Sequence, residues 1–237
     1  MALWIFILYP MKRSFSLLTI GILFSAATGS HATIVGFGQL GGSNVTVPAN
    51  LASNATAAGN GFVVSNGATP GIALTWDAAW DIHTSTFFAP IENQTVGGTL
   101  WDDEGNGPRI GQLDVGSHTI GFSAAPGVSM ILNSFDFGHT AETPGTTAWN
   151  LSLTDSTATA VWQQSVTFTN GGTFTIAPNF TGVAGASYTL NFIRTSQTYN
   201  SDGRHAIDNL SFRQVPEPSA ALLAGMGVAG LLRRRRK

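Results

Sequence analysis

The densest group of metal-ligating side chains is Asp102-Asp103-Glu104-Gly105-Asn106-Gly107. Asp102, Glu104 and Asn106 occupy alternating positions before Gly107, as the first oxygen ligands of a calcium loop do. An EF-hand would need a bidentate Glu at the twelfth position, but Leu113 stands there and Asp114 one place beyond. The run reads as a non-EF calcium loop or as a solvated hairpin loop. Asp208 is the second acidic candidate. It shares parity with Leu210 and Phe212, which places it on the core side of a strand. A buried carboxylate needs a cation or several donors. Arg204 and a structural calcium are the two partners to test, and calcium is the one cofactor indicated.

Trp76-Asp77 and Trp80-Asp81 lie four residues apart. Exposed, such indoles would stack on sugar rings; buried, they would fill a core. His83, His118, His139 and His205 are scattered, without His-Glu-x-x-His or paired-His spacing, and no Gly-x-Ser-x-Gly occurs. The chain has no Cys, which excludes disulfides, thiolate metal sites and a Cys nucleophile. Gly36-Phe37-Gly38-Gln39-Leu40-Gly41 matches the dinucleotide fingerprint in form only. Gly42, Ser43, Asn44 and Pro48 come after it, so no helix presents its amides to a phosphate. No catalytic residue is assigned.

Charged residues make up 10% of the chain, too few for salt-bridge networks to organise the fold. Strand pairing, turns and an apolar core must do so. Between residues 33 and 214 the cations are Arg109, Arg194, Arg204 and Arg213, set against twelve Asp and Glu, which leaves the body near −8. That excess excludes nucleic acid as a partner, since nucleic-acid binding needs a basic footprint. It is compatible with divalent cations and neutral sugars.

The periodicity throughout is two. Trp149, Leu151 and Leu153 alternate with polar residues, as do Tyr188, Leu190 and Phe192. Turn signals such as Asn66-Gly67, Pro70-Gly71, Pro126-Gly127 and Asp202-Gly203 punctuate the runs. Asn170-Gly171-Gly172 predicts a hairpin between Val166–Phe168 and Thr173–Ile176. The expected fold is all-β: one jelly-roll-like β-sandwich over residues 33–214, its strand patterning ending near Phe212.

The flanks differ in kind. Met11-Lys12-Arg13, the apolar run Leu17–Phe24 and the small residues up to Ala32 have the layout of a secretory signal. Residues 1–32 are therefore expected to form a signal helix cut by signal peptidase after Ala32, with Ala26 and Ala27 as the alternative cleavage positions and Met11 as the expected start. At the other end, Val215-Pro216-Glu217-Pro218 precedes an apolar stretch of about 14 residues, about 21 Å as a helix and short for a membrane span. Arg233, Arg234, Arg235, Arg236 and Lys237 then form a membrane stop. The prolines are expected to exclude regular structure and hold the backbone extended.

Pro-Glu-Pro, apolar helix and Arg cluster in this order resemble the PEP-CTERM sorting signal, assigned to residues 215–237. The resemblance implies export, transient inner-membrane association and removal of the anchor by exosortase. The expected product is a non-enzymatic cell-surface or extracellular-matrix protein with exopolysaccharide as its ligand. The alternative is a secreted glycan-active enzyme on a jelly-roll fold.

Overall fold

The computed structural model describes residues 31–37, 40, 45–65, 68–84, 109–113, 117–139, 145–169, 172–198 and 205–216. Among them the chain is all-β. No helix among the described residues is long and apolar enough to cross a membrane. The expected signal helix and C-terminal helix lie outside the described residues.

Two sheets form a sandwich. The five-stranded sheet runs β10 (Ala160–Thr169), β9 (Thr146–Asp155), β13 (Ser187–Gln197), β7 (Ser117–Ala124), β4 (Ile72–Trp76), all antiparallel. The nine-stranded sheet runs β11 (Gly172–Ile176), β8 (Val128–His139), β14 (His205–Pro216), β6 (Arg109–Leu113), β5 (Trp80–Thr84), β2 (Val45–Thr46). Branching from that path, β1 (His31–Val35) pairs with β14 and β3 (Phe62–Ser65), and β12 (Phe180–Thr181) pairs with β8.

Alternation builds the core. His118, Ile120, Phe122 and Ala124 of β7 point inward, while Thr119, Gly121 and Ser123 point outward. Trp149, Leu151 and Leu153 of β9 and Tyr188, Leu190 and Phe192 of β13 are buried in the same way. Each buried large apolar side chain contributes about 1.5–3 kcal/mol. The sheets meet through aromatic pairs: Phe122–Phe212 at 5.8 Å, Trp80–Phe192 at 5.3 Å and Phe137–Trp149 at 5.5 Å between ring centroids.

Two sequence expectations are corrected here. β10 and β11 do not form a hairpin: β10 pairs with β9 and β11 with β8, in different sheets. The two strands lie in different sheets with the Phe168 and Phe174 rings 5.2 Å apart. Strand structure also does not stop near Phe212. β14 continues through Val215, paired with Ser129, and Pro216, paired with Val128. A proline is tolerated at the end of a strand, where its missing N–H costs little.

β14 divides the larger sheet. One edge pairs with β8 along the strand. The other pairs with β6 over His205–Ile207 and with β1 over Leu210–Gln214. Asp208 and Asn209 sit at this fork. Asn209 has φ 51°, in the left-handed region that Asn tolerates, and the register shifts between Asp208 and Ser211. The core residues of β14 are therefore spaced Ile207, Leu210, Phe212, and those of β8 are spaced Leu132, Phe135, Phe137.

Candidate functional site

That bulge decides where Asp208 points. Asp136 lies between Phe135 and Phe137, both in the core, so its side chain is on the opposite face. Asp208 is the direct cross-strand partner of Asp136. The parity shared with Leu210 and Phe212 is thus broken, and Asp208 lies on the outer face, correcting the core-side expectation. It is still buried, as is Asp136. Asp136 accepts hydrogen bonds from Thr175 Oγ1 at 2.7 Å and Asn209 Nδ2 at 3.1 Å, and Asp208 Oδ1 accepts one from the Asn209 amide at 2.8 Å. Three neighbouring strands thus assemble a polar knot at the fork. Among the described residues no group of three or more His, Cys, Asp or Glu could hold a metal ion. Asp102, Glu104 and Asn106 lie outside the described residues, as does Arg204. Sequence reasoning does not single out Asp136; the 2-3-2 spacing of Met130, Leu132, Phe135 and Phe137 is the signal that marks it.

Trp76 and Trp80 do not present stacking faces. They are 2% and 0% exposed, and their rings pack edge-on at 5.5 Å. Phe37 covers Trp76 at 5.6 Å, and Phe192 and His118 cover Trp80. Their indole N–H groups donate inside the fold, Trp76 to the Leu51 carbonyl at 3.1 Å and Trp80 to the Thr119 carbonyl at 3.0 Å. The carbohydrate role expected of this pair is corrected to a core role: with N–H partners supplied internally, burial wins over exposure. Asp77 is equally structural. Its Oδ2 accepts from the Thr119 amide at 2.5 Å and its Oδ1 from the Ala79 amide at 3.1 Å, tying the turn after β4 to β7.

Among the described residues, one surface open to a ligand is the outer face of the five-stranded sheet, which no sequence motif marks. Register places Gln163, Ser152, Asn191 and Thr119 in one row across β10, β9, β13 and β7. The next row is Ser165, Asn150, Ile193 and Ser117. On the other side come Thr154, Thr189, Gly121 and Thr75. These rows contain no charged and no aromatic side chain. Strands about 4.8 Å apart, with same-face residues about 6.8 Å apart along each, make a grid of hydroxyls and amides. Neighbours on the grid are linked: Ser165 Oγ donates to Asn150 Oδ1 at 2.8 Å, and Asn191 Nδ2 donates to the Thr189 carbonyl at 2.9 Å and Thr154 Oγ1 at 3.2 Å. Those bonds fix side-chain positions while leaving further lone pairs and hydroxyl protons outward. The grid offers neutral hydrogen bonding in place of stacking.

The sorting motif begins within the last described strand. Val215 and Pro216 are the end of β14, and residues 214–237 match the model of the PEP-CTERM protein-sorting motif. The chain carries a PEP-CTERM sorting signal. The PEP-CTERM motif indicates export and sorting to the cell surface through exosortase. Its first residues, Gln214, Val215 and Pro216, are shared with the sheet. Gln214 Oε1 also accepts a hydrogen bond from the Gly71 amide at 2.8 Å. Glu217, Pro218 and the Arg233–Lys237 stop lie outside the described residues.

No curated protein matches the chain at a significant level. Among solved structures it is similar to the CBM22-1-CBM22-2 tandem domain from Paenibacillus barcinonensis Xyn10C, at TM-score 0.36 and 15% identity, covering 59% of this chain and 44% of that one. It is similar to an arabinose-bound GH51 α-L-arabinofuranosidase at TM-score 0.34 and 8% identity, covering 60% of this chain and 23% of that one. A third similarity, at TM-score 0.32 and 13% identity, is to a CBM4 structure, covering 44% of this chain and 70% of that one.

Proposed function

We propose that this is an exosortase-processed protein of the cell surface or extracellular matrix, non-enzymatic, whose five-stranded face binds a neutral exopolysaccharide. The carrying observation is the uncharged grid of Ser, Thr, Asn and Gln, on a body whose sequence is otherwise acidic. Neutral sugars present hydroxyl donors and acceptors that such a grid can pair, and they are not repelled by the surrounding carboxylates. An anionic polymer would be. Signal peptidase and the inner membrane are transient partners in this reading, met before the anchor is removed.

The test is sedimentation of the mature protein with neutral and acidic polysaccharides extracted from the producing cells. Neutral polymer is expected to retain the wild type. Asn150→Ala/Ser165→Ala, which removes a linked pair from the exposed grid, is expected to weaken retention severalfold with an unchanged melting temperature. Retention by acidic polymer alone would overturn the reading. Release of reducing ends from the neutral polymer would favour the glycan-active enzyme instead.

A further inference from the structure

β10 differs from the other terminal strands of both sheets. Among the described residues it pairs only with β9. It is 10 residues long, whereas the remaining strands with a single neighbour are short: β2 and β12 have 2 residues, β3 has 4, and β4 and β11 have 5. Open edges invite pairing, and folded proteins blunt them by shortening them or by adding Lys, Pro or inward charges. Five edges here are short. β10 is about 33 Å long, and Ala-Val-Trp-Gln-Gln-Ser-Val-Thr-Phe-Thr contains no charge and no proline; its one irregularity is a bulge at its start, between Ala160 and Trp162, which leaves Gln163–Thr169 in regular register. Ala160, Val161, Gln163, Gln164 and Ser165 are exposed, Trp162 between them is partly buried against the core, and among the described residues no strand covers the outer edge.

We infer that β10 is an association edge that pairs antiparallel with β10 of a second copy of this chain, joining two five-stranded sheets into one. Charge and geometry select this occupant. Two copies of an acidic body repel each other over most approaches, but at this edge neither strand carries charge. A strand set against itself about a two-fold axis supplies each free N–H and C=O with its partner, and the contact closes at two copies. The pairing also extends the hydroxyl and amide grid across both copies, without depending on what that grid binds.

The test uses the mature, tail-free protein in sedimentation-velocity runs over a concentration series, beside Gln164→Lys/Thr167→Lys and Ser187→Lys. Wild type and Ser187→Lys are expected to dimerise alike. The edge lysines are expected to weaken dimerisation by about tenfold or more, because pairing would bring like charges together. A wild type that stays monomeric, an edge variant that dimerises like wild type, or equal loss in Ser187→Lys would each overturn the inference. The absence of cysteine from the chain permits a second readout that does not depend on the lysine variants folding. Gln164→Cys, near the middle of β10, is expected to cross-link into covalent dimers on mild oxidation much faster than Ser187→Cys. Equal rates would overturn the proposed geometry.

Discussion

β10 and β14 are the two regions whose contrast explains most of this molecule. Both are long, mostly uncharged and alternating in part. β14 is held on both edges, by β8 on one and by β6 and then β1 on the other; β10 has β9 alone. β14 contributes Ile207, Leu210 and Phe212 to the core, whereas β10 buries Val166 and Phe168 in its second half and packs only the partly buried Trp162 against the core in its first. Alternation in a sequence reports which face of a strand is buried. It does not report how many neighbours the strand has, because neighbours come from distant segments. The central strand accordingly fixes the sandwich and anchors the sorting motif, while the terminal one is left available for contact.

The largest expected effect tests this contrast directly. Phe212→Ala in β14 is expected to cost about 3–5 kcal/mol, from lost transfer energy plus the cavity left against Phe122. Gln164→Ala in β10 is expected to stay within about 0.5 kcal/mol. Urea denaturation of both variants measures the difference. Comparable losses would show that β10 is integral to the core.

The next effect lies at the fork. Asp136→Ala removes the acceptor of Thr175 and Asn209 and leaves both donors to find others, at an expected cost of about 1–3 kcal/mol. Asp136→Asn, which keeps one acceptor oxygen, is expected to recover part of that in the same measurement. No loss in either variant would mean that the bulge is set by the ladders of β6 and β1 alone.

Particular residues show how much of this is legible in the sequence. Trp149, Leu151 and Leu153, and Tyr188, Leu190 and Phe192, are buried as their alternation requires, because their strands are regular along those stretches. Parity misplaces Asp208 because one left-handed residue, Asn209, inverts the alternation of the residues after it. Gly172 reads as part of a hairpin turn, yet it begins a strand of the other sheet; local turn chemistry does not encode which sheet the next strand joins. Trp76 and Trp80 carry no local mark of burial, since Leu51, Thr119, Phe37 and Phe192 are all remote in sequence. The hydroxyl and amide grid is likewise the product of register among four strands, so no single segment announces it.

A smaller effect concerns the turn that launches β10. Ala158 has φ 62°, a conformation that costs an L-residue about 1–2 kcal/mol, and its amide donates to the Asp155 carbonyl at 3.0 Å. Ala158→Gly relieves that cost but adds chain entropy to the unfolded state, so the expected net gain is about 0.5–1 kcal/mol. A rise in melting temperature checks it. A fall would show that the alanine contributes packing that outweighs the strain.

The smallest effect is at Asp155, which ends β9 one turn before β10 begins. Its Oδ1 accepts from Thr157 Oγ1 at 2.7 Å, the Thr157 amide at 2.9 Å and the Thr159 amide at 3.0 Å. These bonds hold the carboxyl below its usual range, the Thr157 hydroxyl most, then the Thr159 and Thr157 amides, against a weaker upward push from desolvation. A carboxylate depressed on folding contributes stability that is fully present above its unfolded pKa and is lost as pH falls through the folded one. The contribution of Asp155 should therefore fade on acidification from about pH 5 downward. Asp155→Asn retains one acceptor oxygen but cannot titrate. The melting temperature of wild type is expected to exceed that of Asp155→Asn near neutrality, and the gap is expected to close in acid. Every other carboxylate titrates in both proteins, so the gap isolates this one. The carboxyl sits in a surface turn where its bonds are exposed, so the interaction is easily screened, and salt should shrink the gap at neutral pH as well. A gap that is constant with pH would mean that the turn is held by the geometry of the Oδ1 bonds rather than by charge, and β10 would then start from the same place at any pH.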